Sequence, residues 1–227
     1  MLFKQVFREI AFSNASLYAH RVIALVDYGM GNLRSVEKAL HAVGAEVQLA
    51  TSPEQIDKAK GVVLPGVGAI GDCVCNLTDQ QLVPALKGFI AGGKPFLGIC
   101  LGLQALFDES EESGGVKGLG IFPGSVPRFR VQNLKVPHMG WNRLNVIQPN
   151  CPLLRGIAQD SFVYFVHSYF VAPRDRSLVC ATTDYGGDFC SMIWRENVFA
   201  TQFHPEKSQA IGLKMLENFV TLVHSKS

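Results

Sequence analysis

The sequence lacks any apolar run approaching the ~20 consecutive residues that a bilayer span requires. It also lacks a dominant charge, because its 21 Lys and Arg residues are nearly balanced by 19 Asp and Glu residues. The charged residues are dispersed, so nothing favours nucleic acid or an anionic membrane as the main partner. Only 18% of the 227 residues are charged and 48% are hydrophobic, a composition that excludes a disordered chain.

Cysteine occurs six times, but the spacing does not indicate a metal site or a disulfide framework. Cys73 and Cys75 are separated by one residue, whereas a zinc ribbon separates its cysteines by two, and no closely spaced histidine pair accompanies them. Disulfide frameworks are typical of short, secreted, loop-rich chains, and this sequence shows no secretory signal. We therefore expect reduced thiols, no metal and a cytoplasmic location.

The first half alternates short apolar runs with amphipathic segments, which predicts a mostly parallel sheet flanked by helices on both faces. Strands are predicted at residues 21–27, 46–50, 61–64 and 95–99, and the apolar runs at 21–27 and 95–99 are typical of strands buried on both faces. Helices are predicted from the cap Asn32 to Gly44, from Leu82 to the Gly92-Gly93 pair, and at residues 101–107.

The second half is richer in glycine, proline and short β-prone pieces, which predicts an antiparallel extension of the sheet. These pieces lie at residues 120–130, 143–147, 162–171, 178–183 and 189–195, before a helix marked by Leu213, Leu216, Val220 and Val223. The expected fold class is therefore α/β, with one domain at residues 21–227. Residues 1–20 form an amino-terminal extension that carries no motif.

The strongest chemical signal is Cys100, which lies between Gly98 and Gly102 directly after a predicted strand and before a predicted helix. A nucleophile at such an elbow stands above the sheet, and flanking glycines permit the tight turn. The helix N-terminus favours a thiolate and supplies N–H groups for an oxyanion. A buried structural cysteine between two packing glycines is the alternative interpretation of this motif taken alone.

His204 is the candidate base, because Glu206 follows two residues later and could hold the imidazole in one tautomer. In an extended segment, residues two apart point to the same side. Gly66 and Gly68 flank Val67 after the third predicted strand, where they allow backbone N–H groups to face a neighbouring oxyanion. Taken alone, His204 could be a capped loop histidine with Glu206 a solvated surface charge, and the glycine motif could be an ordinary turn at the end of a strand.

A rival interpretation is dinucleotide binding, suggested by the glycines at positions 29 and 31 after the first strand. The fingerprint requires a third glycine, but Arg34 occupies that position. Glu46 also lies closer than the ~20 residues expected for the ribose-binding acid. NAD or FAD binding is therefore disfavoured, and the sequence contains no Walker A motif.

Together these motifs resemble those of the class I (triad) glutamine amidotransferases. Within that class, the sequence is similar to the glutaminase subunits of imidazole glycerol phosphate synthases. The narrower resemblance covers residues 21–223 and rests on DYGMGNL at 27–33, GLGIFPGSVPRF at 118–129, KVPHMGWN at 135–142, VHSY at 166–169 and QFHPEKS at 202–208.

The resemblance implies that Cys100 attacks the side-chain amide of glutamine, that His204 transfers protons and that Glu206 orients His204. It also implies an oxyanion site and a glutamine pocket, and it implies no metal or organic cofactor. The residues of that site and pocket are Gly66, Val67, Gly68, Leu101, Gln104, Glu112, Ser168 and Tyr169.

The same resemblance implies a heterodimer with a separate (β/α)8-barrel cyclase. The cyclase would use the ammonia to make imidazole glycerol phosphate and an aminoimidazole carboxamide ribotide, in histidine biosynthesis. The implied interface residues are Asn32, Pro137, Met139 and Trp141. Because one amidotransferase domain fills the sequence and a barrel takes ~250 residues, we expect the cyclase on another polypeptide.

Two alternatives stay open at this point. The chain could serve another synthase, of the anthranilate or aminodeoxychorismate type, which partner binding would reveal. It could also be a non-catalytic binding protein with a vestigial elbow, in which case a γ-glutamyl electrophile would not label Cys100.

Overall fold

The computed structural model describes residues 22–225. The predicted extension at residues 1–20 and the first residue of the strand predicted at 21–27 lie outside the described residues. No helix within residues 22–225 is both long enough and apolar enough to cross a membrane.

The strands are β1 (Ile23–Val26), β2 (Val47–Ala50), β3 (Gly61–Leu64), β4 (Phe96–Ile99), β5 (Phe107–Ser110), β6 (Val116–Lys117), β7 (Phe122–Val126), β8 (His138–Arg143), β9 (Asn145–Val146), β10 (Phe162–His167), β11 (Ala172–Pro173), β12 (Val179–Asp184), β13 (Asp188–Arg195) and β14 (Val198–Thr201). The α-helices are α1 (Leu33–Ala42), α2 (Pro53–Lys58), α3 (Ile70–Asp79), α4 (Leu82–Ala91), α5 (Leu101–Gln104) and α6 (Gln209–Ser225).

The main sheet contains eight strands in the order β2-β1-β3-β4-β14-β13-β12-β9. Neighbours among the first five strands are parallel, and the pairs from β14 onward are antiparallel. This arrangement confirms the predicted fold class, a mostly parallel sheet with an antiparallel extension in the second half.

Both faces of the sheet are covered, as the continuous apolar strands predicted. On β1, Ala24 and Val26 pack with residues of α2, α3, α4 and α5, whereas Ile23 and Leu25 pack on the opposite face with α1 and α6. Each of these four β1 side chains is at most 1% exposed. Burying a side chain the size of Leu or Ile contributes roughly 1.5–3 kcal/mol, so both faces contribute to stability.

Two smaller sheets stand beside the main one. β8 pairs antiparallel with β10, and a four-stranded sheet has the order β11-β7-β5-β6. The strand predicted at 143–147 was placed incorrectly, because Arg143 ends β8 and only residues 145–146 form β9. A strand at 138–142 was not predicted, since glycine at 140 weakens the β-pattern there.

The helix predicted at 101–107 is wrong in length. α5 ends at Gln104, and Phe107 begins β5. The reason is a competing segment: the N–H of Leu119 donates to the carbonyl of Ala105, and those of residues 121 and 122 donate to the carbonyl of Leu106. A Cβ on Gly118 would lie 2.2 Å from the carbonyl oxygen of Phe107, so glycine permits this approach.

Two helices were missed. α2 begins after Ser52, where the side-chain oxygen of Gln55 accepts the N–H groups of Thr51 and Ser52 at 2.8 and 3.0 Å. The sequence SPEQ carries this start signal, although the helix is short. α3 is the second missed helix.

Asn32 does stand at the N-cap of α1 as predicted, but its side chain makes no capping hydrogen bond.

We predict that Gly212→Ala destabilises the protein by roughly 1–3 kcal/mol through overpacking. A Cβ at Gly212 in α6 would lie 1.9 Å from the carbonyl oxygen of Pro205, a backbone atom that cannot rotate away. Gly88→Ala is the control, because Gly88 is an exposed position of α4 with no atom within 4 Å of its added Cβ. Urea denaturation should show that Gly88→Ala leaves the free energy of unfolding unchanged or raises it. Equal changes in this free energy for the two substitutions would contradict the prediction.

Candidate active site

Cys100 occupies a strained turn between β4 and α5. Its backbone has φ +53° and ψ −102°, a region that non-glycine residues rarely adopt. The N–H of Cys100 donates to the carbonyl of Thr201 at 2.7 Å, which ties the turn to β14. Non-glycine residues persist in such conformations only where the surrounding structure holds them, and these outliers cluster at functional sites.

The glycines on either side of Cys100 are required by close backbone approaches. A Cβ on Gly102 would lie 2.0 Å from the carbonyl oxygen of Leu64, so α5 can approach β3 only with glycine there. A Cβ on Gly98 would lie 2.8 Å from the carbonyl oxygen of Gly102. The G-x-C-x-G pattern thus follows from the packing of the elbow.

His204 and Glu206 form a buried pair on the segment that follows β14. His204 Nδ1 lies 2.8 Å from Glu206 Oε1, and each side chain is 2% exposed. Two hydrogen bonds fix the main chain of His204, since its N–H donates to the Tyr164 carbonyl and its carbonyl accepts from the Ser208 hydroxyl. Residues 205–207 form a 3-10 turn, so the pair meets through a turn and not through the extended segment that we expected.

The electrostatics of this pair favour an imidazolium. Burial opposes the charged ring, but the neighbouring Cys100 and Glu206 outweigh it and raise the pKa of His204 to about 10. The Nδ1 proton faces Glu206, which leaves Nε2 buried and without a hydrogen-bond partner among the described residues. An unpaired buried nitrogen beside a thiol is positioned to exchange a proton with a group that enters the site.

The turn at residues 65–68 lies against the elbow. The hydroxyl of Tyr28 donates to the Pro65 carbonyl at 3.0 Å. A Cβ on Gly66 would lie 2.6 Å from that hydroxyl oxygen and 2.7 Å from the Leu101 Cβ, so glycine is needed at this contact. Gly68 has φ +99°, in the region that favours glycine. The structure therefore brings the predicted oxyanion turn to the predicted nucleophile.

A cavity of about 270 Å³ opens over Cys100. It is lined by every residue of the predicted oxyanion site and glutamine pocket except Gly66, together with Pro137 from the predicted interface. Its wall consists of Val67, Gly68, Cys100, Leu101, Gln104, Glu112, Pro137, Val166, His167, Ser168 and Tyr169. The Glu112 carboxylate accepts the N–H of Ile70 at 2.8 Å, which fixes it against the first turn of α3.

Three predicted interface residues lie outside the cavity. Asn32 is exposed at the start of α1. Met139 and Trp141 on β8 are 62% and 45% exposed, among the most exposed large apolar side chains of the described chain. Trp141 is therefore a surface residue.

Gln202 is a further residue of the site, and the sequence motifs do not predict it. Its Nε2 donates to Cys100 Sγ at 3.6 Å, and its Oε1 accepts from Gln104 Nε2 at 3.2 Å. Gln202 is fully buried. Its position two residues before His204 is a sequence signal that it lies near the site. Its contact with the thiol depends on the pairing of β4 with β14, which the sequence does not show.

The family model for class-I glutamine amidotransferases matches residues 24–223. The chain is 51% identical over 204 residues to the imidazole glycerol phosphate synthase subunit HisH of Syntrophotalea carbinolica, covering 87% of this chain and 98% of that protein. It is 53% identical over 203 residues to the subunit of the same name from Thermosynechococcus vestitus, covering 88% and 97%.

Solved structures show the same fold. A crystal structure of a glutamine amidotransferase aligns with a TM-score of 0.69 at 18% identity, covering 88% of this chain and 98% of that one. The structure of PurLQS from Thermotoga maritima aligns with a TM-score of 0.68 at 17% identity, covering 89% and 98%.

We predict that Glu206→Gln lowers the pKa of His204 by roughly 1–3 units, because the variant removes the negative charge that stabilises the imidazolium. The wild-type ring should keep its second proton as the pH rises above 6.5 and release it near 10. Nitrogen-15 NMR of labelled histidine measures this directly. Glu217→Gln, on the exposed outer part of α6, is the matched control, and an unchanged His204 pKa in Glu206→Gln would refute the assignment.

Proposed function

Because this chain belongs to the class-I glutamine amidotransferases, and within them to the HisH subunits of imidazole glycerol phosphate synthase, we propose that the cavity over Cys100 is its glutaminase site. The chain is a glutamine-hydrolysing enzyme subunit that donates ammonia. The observation that carries the site assignment is the strained Cys100 elbow beside the buried His204–Glu206 pair.

The Cys100 thiolate attacks the side-chain carbonyl carbon of glutamine and forms a C–S bond. His204 then gives a proton to the amide nitrogen, the C–N bond breaks and ammonia leaves. Water attacks the resulting γ-glutamyl thioester, and its proton passes to His204. The C–S bond breaks, which releases glutamate and restores the thiolate and the imidazolium. Glu206 remains ionised and keeps the Nδ1 proton in place.

Charge develops on the carbonyl oxygen in both steps. The N–H of Leu101 follows the nucleophile at the start of α5, and the turn that contains Gly66, Val67 and Gly68 lies alongside. We assign the oxyanion site to these backbone N–H groups. Hydrogen-bond donors that a fold holds in place need no reorganisation when the charge develops.

The rest of the cavity suits a small amino acid that carries both charges. Gln104 uses Nε2 in two internal hydrogen bonds, so its Oε1 is the atom that could accept from substrate. One carboxylate oxygen of Glu112 accepts a hydrogen bond from the Ile70 N–H, and the other could accept one from the α-ammonium group of the substrate. Ser168 and Tyr169 complete the wall of the cavity.

The ammonia acceptor would be a separate (β/α)8-barrel cyclase that forms a heterodimer with this chain. The exposed face of β8 and β10 supports this proposal, because Trp141 pairs with Tyr164 and Met139 with Val166 on neighbouring strands. Phe162 on β10 is also 48% exposed. A patch of aromatic side chains and Met139, with Arg143 over the Phe162 ring and Lys207 over the Tyr164 ring, suits a protein interface. Pro137, which lines the cavity, lies two residues from Met139, so this face adjoins the site.

We further propose that Asn32 belongs to the same partner-facing region and that the chain works in the cytoplasm. All six cysteines are free thiols, as a reducing compartment would keep them.

We predict that Cys100→Ala reduces glutamine-dependent synthesis by at least about a thousandfold, because the variant loses the nucleophile. The complex with a barrel cyclase should keep its activity with added ammonia, since that route bypasses Cys100. Cys75→Ala is the matched control, because Cys75 is exposed on α3 and away from the cavity.

Glutamate release is measured with and without the cyclase and its phosphoribulosyl substrate. Retention of glutamine-driven activity in Cys100→Ala would show that Cys100 is not the nucleophile. Glutamate release that does not change when the cyclase is added would contradict the proposed partnership.

A further inference from the structure

Two buried histidines face each other beside the cavity, and no step above uses them. His138 on β8 and His167 on β10 are registered partners in the antiparallel pair, and they are 3% and 6% exposed. His138 Nδ1 lies 3.0 Å from His167 Nε2. A direct hydrogen bond between two imidazoles requires one ring to donate and the other to accept.

The groups at both ends of this pair determine where the protons lie. His167 Nδ1 lies 2.8 Å from the carbonyl oxygen of Tyr169, which only accepts, so His167 carries its proton on Nδ1. Its Nε2 therefore accepts from His138 Nδ1. On the far side, Asn142 Nδ2 donates to His138 Nε2 at 3.3 Å and to the Asp184 carbonyl.

Packing keeps both rings neutral. Tyr185 and Phe165 stack on His138 with ring centroids 4.0 and 4.8 Å away. Phe129 contacts both rings from the side. Burial lowers the pKa of His138 to about 4 and that of His167 to about 3. Each ring can therefore donate once and accept once at neutral pH, as the hydrogen bonds require.

The carbonyl of Tyr169 joins the histidines to the thiol. It accepts from His167 Nδ1 and also from Gln104 Nε2 at 3.0 Å. Gln104 Nε2 donates in addition to Gln202 Oε1, and Gln202 Nε2 donates to Cys100 Sγ. A continuous network thus runs from β8 to the sulfur through Asn142, His138, His167, the Tyr169 carbonyl, Gln104, Gln202 and Cys100.

We propose that His138 and His167 are positioning residues, which hold the Ser168–Tyr169 wall of the cavity and, through Gln104 and Gln202, the sulfur of Cys100. The proposal rests on the proposed function for the identity of the ligand in the cavity. β8 carries Met139 and Trp141 on its outer face and His138 beneath, so a partner that shifts this strand would act directly on the network.

The test compares two substitutions of His138 in the complex with a barrel cyclase. His138→Asn retains an N–H donor near the position of Nδ1, whereas His138→Leu removes it and leaves His167 Nε2 without a donor. We expect His138→Leu to lower kcat/KM for glutamine about tenfold, mainly through a higher KM, the effect of one lost buried hydrogen bond. His138→Asn should recover most of this loss, and synthesis from added ammonia should be unchanged in both variants.

His41→Leu is the matched control, because His41 lies on α1 and is exposed. Nitrogen-15 NMR of the wild-type chain gives a readout that does not depend on activity or on the folding of a variant. It should show His138 and His167 neutral at neutral pH, each protonated on Nδ1 and not on Nε2.

The other tautomer on either ring, or a charged ring at neutral pH, would overturn the proposal. Unchanged glutamine kinetics in a folded His138→Leu would also overturn it, as would equal losses in the Leu and Asn variants. Failure of the proposed function would look different, since either the wild-type complex would release no glutamate or the Cys100→Ala complex would release it as well.

Discussion

The site depends on one close approach between backbone segments. α5 lies against the end of β3 so tightly that a single carbon atom on Gly102 would collide with the Leu64 carbonyl. This contact fixes the direction in which the chain leaves β4, and Cys100 has a positive φ as a result. Backbone packing then holds the thiol above the sheet, so its position during the reaction does not depend on ordering a flexible side chain.

The second constraint is the register of two neighbouring parallel strands. Gly98 and Ile99 on β4 pair with Ala200 and Thr201 on β14, so the chain leaves both strands at the same edge of the sheet. Ligands of open α/β sheets bind beyond the carboxyl ends of the strands for the same reason. Cys100 and His204 are about a hundred residues apart in sequence, yet this pairing brings them together.

Much of this arrangement could be predicted, because it follows from local rules. Glycines around Cys100 and the His204-Pro205-Glu206 triplet are short motifs whose chemistry depends on residue type and spacing. Continuous apolar runs predicted β1, β3 and β4 because strands buried on both faces need no polar alternation. The length of α5 could not be predicted, since distant N–H groups at residues 119–122 bind the carbonyls of residues 105–107 and end the helix.

The hydrogen-bond network beside the cavity was missed for a similar reason. His138 reaches His167 only because β8 pairs with β10. His167 and Gln104 are linked because both donate to the Tyr169 carbonyl. No spacing rule in the sequence links these positions. Buried polar networks of this kind become visible once each donor and acceptor has been assigned a partner.

The central claim is that Cys100 forms a covalent bond with the substrate. Mass spectrometry of the complex after acid quenching during turnover with glutamine tests it most directly. We expect a γ-glutamyl adduct on the peptide that contains Cys100, absent from the peptides of the other five cysteines and absent from wild-type protein quenched before glutamine is added. An adduct on another cysteine, or glutamate release with no adduct on Cys100 under any quench time, would contradict it.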